Sequence, residues 1–224
     1  MGGEEIGSRR RRAELHRALG DQRRLAIVDA LRLSDRTPSD LAVVTGLASN
    51  LLAFHLGALE EVGVIERSTS QGDARRRYVR MTADPVVELG GGSAVTAERV
   101  LFVCTGNSAR SQLAAGLWGA RTGRPAASAG TRPAEEIHPH AVTIARRHGL
   151  VLGERPRGYD EVPDTPDLVV SVCDRAREAG PPPFDAPSLH WSIPDPAGGD
   201  RADFEAVHDQ LASRVERLAL AAAA

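Results

Sequence analysis

Cys104 and Arg110 stand at the two ends of a short polar stretch, Cys-Thr-Gly-Asn-Ser-Ala-Arg, with Ser111 directly behind. A thiolate is a strong nucleophile, and a guanidinium can hold two oxygens of a tetrahedral anion at once. The run Val100–Val103 in front reads as a buried strand, and the sequence behind reads as a helix to about Thr122. In that setting the loop N–H groups and the helix N-terminus converge on one anion site, and their field favours a thiolate over a thiol. Thr105, Gly106, Asn107, Ser108, Ala109, Arg110 and Ser111 are therefore the candidate oxyanion-binding residues. Gly106 permits tight curvature, Asn107 can hold the loop through side-chain bonds to backbone, and Ser111 can donate to the sulfur. A buried structural cysteine beside a salt-bridged arginine would use the same two residues; the strand before and the helix after favour the chemical reading.

The pattern from residue 99 onward supplies the frame. Ala126–Ala129, Asp167–Val172 and Ser188–Ile193 are further strand candidates, while Pro139–His148 and Phe204–Leu220 read as helices. Strands alternating with helices predict a three-layer α/β domain with a small parallel four-stranded sheet. Cys173 ends the strand Asp-Leu-Val-Val-Ser-Val, at the sheet edge shared with the Cys104 loop, where ligands gather in such folds. Two cysteines in a long, core-bearing chain point to a reducing cytoplasm rather than a disulfide framework. No apolar run approaches the ~20 residues of a membrane span, and the arginine-rich start lacks the apolar segment of a signal peptide. Trp118 is expected in the core or near the site, and Tyr159 at its mouth. The seven histidines include the close pair His138 and His140 without a matching Cys/Asp cluster, so no metal site is expected. No glycine-rich nucleotide motif is present, and no bound cofactor is expected.

Ahead of this domain lies sequence of another kind. Residues 10–19 read as a helix behind a tail, Met1–Ser8, expected to be disordered. Asp21 caps a second helix with Leu25, Ile27, Val28 and Leu31 on its apolar side. Thr37-Pro38-Ser39-Asp40 opens a third that ends near Val44, with Thr45-Gly46 as the turn. A fourth runs from about Ser49 to Val62, where Gly63 stops it, and two strands follow around the polar tip Ser68–Ala74. This predicts an α-rich winged helix-turn-helix domain over 9–82, a Pro- and Gly-broken linker over 83–98, and the α/β domain over 99–220. The second helix of the turn-linked pair would enter the DNA major groove, with Ser49, Asn50, Phe54 and His55 as candidate DNA-facing residues. Arg67, Arg75, Arg76 and Arg77 on the wing would meet phosphates. All 28 basic residues are arginine, yet the net charge is -2, so any nucleic-acid signal is local.

Two resemblances sharpen these expectations. Cys-Thr-Gly-Asn-Ser-Ala-Arg-Ser-Gln-Leu-Ala-Ala-Gly-Leu-Trp resembles the phosphate-binding loop of low-molecular-weight protein tyrosine phosphatases and of the arsenate reductases built on their fold. It is closer to the reductases, as is Ser-Ala-Gly-Thr at 128–131 with Ile-His-Pro-His-Ala-Val at 137–142, and His-Trp-Ser-Ile-Pro-Asp-Pro-Ala-Gly at 190–198 looks like the loop carrying the family's acidic residue. The resemblance implies that Cys104 is the nucleophile, that Arg110 binds the oxyanion, and that Asp195 is the general acid. It also places Cys173 where thioredoxin-linked reductases carry a thiol that attacks the nucleophile–arsenic adduct. Their third thiol, seven residues on, is Gly180 here, and the extra cysteine of their first loop is Ala109. Two routes stay open: Cys173 resolves the adduct, or a small thiol does so directly. Either way the expected electron source is external, a low-molecular-weight thiol with a redoxin, or thioredoxin.

Residues 12–82 resemble the ArsR family of small bacterial repressors, which implies operator DNA as a partner and a homodimer. Many metalloid-sensing members carry a cysteine pair on the helix before the turn, but Asp35–Val44 holds neither cysteine nor histidine. A thiol-based arsenite sensor is thereby excluded at that position. The expected whole is an arsenate reductase fused to a DNA-binding regulator. The alternatives are a phosphomonoesterase of the phosphatase type and an oxyanion-sensing repressor with little turnover.

Overall fold

Residues 13–82 and 95–222 are described in the computed structural model of the protein, and they fall into two units. One holds 13–69 and 75–82, the other 70–74 and 95–222. The tail Met1–Ser8, the start of the first expected helix and positions 83–94 of the expected linker lie outside the described residues.

In the first unit, residues 13–19 are helical (α1). Asp21 then starts α2 (Gln22–Leu31), its carboxylate accepting the N–H groups of Arg23 and Arg24 at 2.9 and 3.1 Å. A reciprocal cap opens α3 (Pro38–Thr45). Thr37 Oγ1 accepts the Asp40 N–H at 3.1 Å, and Asp40 Oδ2 accepts the Thr37 N–H at 3.2 Å. Gly46, at φ 67°, takes the left-handed step that ends α3, a conformation costly for any residue with a Cβ. The chain turns by 108° into α4 (Ser49–Glu61). Strand β1 (Ile65–Thr69) pairs antiparallel with β2 (Arg77–Met81), Ile65 opposite Met81 and Thr69 opposite Arg77. Ile27, Leu31, Leu41, Leu56, Leu59 and Val79 meet in one buried cluster.

The inward face of α4 contains Leu52, His55, Leu56 and Leu59. His55 is only 2% exposed and lies 3.9 Å from Asp21 Oδ1, so its expected place among the DNA-facing residues is corrected. Its position follows the helical period: three residues after Leu52, it shares that leucine's face. Ser49, Asn50 and Phe54 are exposed, as are Arg67, Arg75, Arg76 and Arg77. Arg67 is paired with Glu60 at 3.2 Å.

In the second unit four short parallel strands pair in the order β4-β3-β5-β6. They are β3 (Val100–Cys104), β4 (Ala126–Gly130), β5 (Leu168–Ser171) and β6 (Ser188–His190). Every residue of β3 and β5 is buried, as central strands of a parallel sheet require. Helices α5 (Arg110–Thr122), α6 (Pro139–Arg147) and α8 (Arg201–Ala222) pack on one another. Trp118 is fully buried, its ring 6.5 Å from that of Phe102. The register sets Cys104 opposite Gly130 and Ser171 opposite His190, so the chemistry-bearing residues gather at the C-terminal ends of the strands.

Strand β6 ends three residues earlier than expected, because beyond it the Ile193 carbonyl is turned to Arg110. A 3-10 turn, Tyr159–Glu161, and a short helix, α7 (Asp174–Glu178), were not expected. No single helix among the described residues is long and apolar enough to cross a membrane.

Candidate active site

The loop between β3 and α5 owes its shape to the chain that follows β4. The carbonyls of Cys104, Thr105, Gly106 and Ser108 accept the N–H groups of Thr131, Arg132, Ala134 and His138, at 2.9 to 3.1 Å. With those carbonyls held outward, the loop's own N–H groups are free to line its concave side. Ala109 precedes α5 and gives it no side-chain cap, so the first N–H groups of the helix remain available to an anion.

Asn107 is the only non-glycine residue at positive φ (50°) among the described residues, and its side chain is anchored at both ends. Its Oδ1 accepts from Gln112 Nε2 at 3.1 Å and from the Arg157 N–H at 2.8 Å, and its Nδ2 donates to Ser111 Oγ at 2.8 Å. Because Nδ2 can only donate, Ser111 Oγ is the acceptor there and its own proton is free for Cys104 Sγ, 3.0 Å away. The Asn107 N–H reaches the same sulfur at 3.2 Å. Two donors are thus aimed at one buried sulfur.

Arg110 is 5% exposed and divides its guanidinium between two partners. Nη1 donates to the Ile193 carbonyl at 2.9 Å, and Nη2 meets Asp195 Oδ2 at 2.9 Å. Asp195 keeps an exposed side of its carboxylate, and Arg175 Nη1 stands 4.0 Å from the same oxygen. The structure thus brings together Cys104, Arg110, Ser111 and Asp195.

Cys173 joins them from the N-cap of α7, two residues beyond β5. It is 1% exposed, and its Sγ lies 3.4 Å from Thr105 Oγ1 in the loop. Burial pushes the Cys173 thiol up; the Arg110 charge opposes that and the neighbouring Cys104 sulfur adds to it. Tyr159 feels both sulfurs as well: burial, then Cys173, then Cys104 raise its hydroxyl to about 12.

Behind Cys173 lies a buried polar chain that the sequence reading did not find. Ser171 Oγ is 2.9 Å from His190 Nδ1, and His190 Nε2 is 3.2 Å from Asp174 Oδ1. Burial works against the Asp174 charge, but hydrogen bonds from His190, a backbone N–H and Ser192 outweigh it and hold the carboxyl below its ordinary range. The signals were present, an aspartate directly after Cys173 and a histidine opening the His-Trp-Ser-Ile-Pro-Asp segment, but 16 positions of separation hid their contact.

Residues 99–224 match the family of low molecular weight phosphotyrosine protein phosphatases. The chain belongs to that family. Its second unit is therefore an enzyme of the low molecular weight phosphatase type, and the Cys104 loop lies within the matched residues. Among curated relatives, an arsenate reductase of Brevibacillus brevis is 30% identical over 126 residues, spanning 54% of this chain and 92% of that protein. One from Halalkalibacterium halodurans is 32% identical over 132 residues, spanning 54% and 94%. A solved arsenate reductase structure from Archaeoglobus fulgidus is 37% identical and covers 54% of this chain and 98% of its own, with a TM-score of 0.49.

Gly130 shows how tightly this phosphatase-family loop is seated. A Cβ there would lie 2.7 Å from the Thr105 carbonyl oxygen and 3.0 Å from the Asn107 nitrogen, both backbone atoms of the loop. Gly130→Ala must therefore displace the loop. The expected outcome is a fall in kcat/KM of about 10²-fold, with destabilisation of about 1–3 kcal/mol in a urea melt. Unchanged kinetics would contradict the claim that this crossing sets the loop.

Proposed function

We propose that the second unit reduces arsenate to arsenite through a covalent adduct on Cys104, with electrons from an external thiol. The observation that carries this reading is the second cysteine: Cys173 sits beside the Cys104 loop, 3.4 Å from Thr105 Oγ1. Hydrolysis of a phosphate ester needs one sulfur; reduction of As(V) benefits from two.

The steps balance as follows. The loop N–H groups and Arg110 bind the tetrahedral oxyanion, which must compete with Asp195 for Nη2. Cys104 attacks arsenic, an As–O bond breaks, and Asp195 protonates the departing oxygen so that it leaves as water. A second thiol then attacks the Cys104 sulfur. An S–S bond forms, the S–As bond breaks, and its electron pair stays on arsenic, so As(V) becomes As(III) as two thiols become a disulfide. An external thiol, small or thioredoxin-like, reopens that disulfide. We assign the second thiol to Cys173. Because burial favours its protonated form, the approach of an anionic adduct is no obstacle to it, and its proton passes during the attack to the oxygens of the departing arsenite. Cys173→Ser is expected to lower arsenite release about 10²-fold in steady state and to trap the adduct on Cys104. Full turnover in that variant would assign the step to a small external thiol instead.

A second reading, phosphate-ester hydrolysis, is favoured by the Arg110–Asp195 pair, which serves that reaction equally well. Parallel assays with arsenate plus a thiol system and with an aryl phosphate separate the two. Efficient phosphate release without arsenite formation would overturn the reductase reading.

For the first unit we infer operator DNA binding as a homodimer, in the manner of a winged helix-turn-helix repressor. The 108° bend between α3 and α4 matches the crossing of a helix-turn-helix pair. Exposed Ser49, Asn50 and Phe54 on the first two turns of α4 would read the major groove, with Arg67, Arg75, Arg76 and Arg77 on phosphates. Fluorescence anisotropy with DNA from upstream of the gene tests this. Asn50→Ala should weaken specific binding by about tenfold or more. Equal affinity for specific and random DNA would overturn it.

A further inference from the structure

We propose that His148, Glu205 and His208 form a binding site for one divalent transition-metal ion of the zinc type. Helix α6 ends at Arg147, and His148 forms its C-terminal cap, its N–H donating to the Ile144 carbonyl at 3.0 Å. Glu205 and His208 lie three residues apart on α8, so they share a face, and the packing of α6 on α8 brings His148 to that face. His148 Nε2 is 2.6 Å from Glu205 Oε1. The His148 and His208 rings stack with centroids 3.8 Å apart and an interplanar angle of 23°. One donor atom from each of the three residues lies within 4.8 Å of the others.

Two imidazole rings and a carboxylate converge here, and a turn of the stacked rings about their side-chain bonds would aim both ring lone pairs at one shared cation. Two imidazole nitrogens and a carboxylate are the donors that zinc, cobalt or nickel prefers over magnesium or calcium. His208 Nδ1 is 3.0 Å from Asp209 Oδ1, and a proton held there leaves the Nε2 lone pair free for the ion. A carboxylate behind a ligating histidine is the usual second partner of such sites. Arg147 Nη1 approaches the other Glu205 oxygen, Oε2, at 3.4 Å. The His208 side chain is 8% exposed, whereas those of His148 and Glu205 are 30% and 27% exposed, so the site has one dry wall and a path to solvent for a water ligand.

The ion would join the C-terminal end of α6 to α8. The other end of α6 begins behind His138, whose N–H holds the Ser108 carbonyl of the Cys104 loop. The role is therefore structural: it fixes the helix from which one of the loop's four ties hangs, about 13 Å along its axis. The assignment is independent of whether the loop acts on arsenate or a phosphate ester.

The test uses the full chain carrying Cys104→Ser and Cys173→Ser, so that no thiol competes for metal. Zinc is titrated against a chromophoric chelator, and cobalt is added separately to read its visible bands. The expected result is one equivalent bound, with the cobalt spectrum of a nitrogen- and oxygen-ligated, four-coordinate ion. Glu205→Gln and His208→Ala should each weaken binding more than about tenfold, and Asp209→Asn by about tenfold or more. Glu205 and Asp209 face solvent in part, and circular dichroism of those two variants guards against a folding defect at buried His208. Absence of saturable binding, or binding unaffected in Glu205→Gln and Asp209→Asn, would overturn the proposal.

Discussion

Cys104→Ser is expected to leave no measurable arsenite release, a loss of at least about 10⁴-fold, while the fold stays intact. A hydroxyl in place of the thiol fits the same buried space and can still take part in the hydrogen bonds with Ser111 and the Asn107 N–H. It is nevertheless a far weaker nucleophile at neutral pH, and it cannot enter a disulfide, so both the attack and the electron transfer are lost. Oxyanion binding should survive, because the N–H groups and Arg110 remain. The measurement is arsenite by coupled assay beside arsenate or phosphate binding by calorimetry. Residual turnover above about 1% would remove Cys104 from the role of nucleophile.

Arg110→Lys is the second large effect. Charge is retained, so any loss measures geometry. Arg110 spans the Ile193 carbonyl and Asp195 Oδ2, each at 2.9 Å, with two different nitrogens of one rigid plane. A single ammonium cannot make that span and also present two parallel donors to an oxyanion. The expected fall in kcat/KM is about 10²–10³-fold, or about 3–4 kcal/mol of transition-state stabilisation. It should appear in KM, because the ground-state anion uses the fork, and in kcat, because the five-coordinate transition state uses it more strongly. A fall of less than about fivefold would show that charge alone suffices.

Much of this site was legible because its parts are local. The buried strand, the glycine-containing loop and the helix behind it are contiguous, and their residue types name both the chemistry and the positions. The caps at Asp21 and Thr37 were readable for the same reason: each involves residues within three positions. The burial of His55 is also written in a local pattern. Leu52, His55, Leu56 and Leu59 follow the spacing of one helical face, and a polar ring at such a position belongs to the core before it belongs to DNA.

What sequence could not yield depends on distant segments meeting. The Asp174–His190 contact joins the start of α7 to the end of β6, and the five residues of α7 are too few to print a period. The cluster of His148, Glu205 and His208 draws on two elements more than fifty positions apart. The histidines that stand close in the sequence are instead His138 and His140, two positions apart. In the structure those rings lie 4.6 and 5.3 Å from Phe204, where they pack against it.

The four carbonyls of the Cys104 loop tied to Thr131, Arg132, Ala134 and His138 bear on engineering. Their bonds mean that the loop's conformation is stored outside it. Transplanting 104–111 alone onto another strand–helix junction would carry the reactive side chains but not the backbone orientation that makes a cradle. A working graft has to move 130–138 as well, and a library that varies 131–138 while leaving 104–111 untouched should tune which anion the cradle accepts.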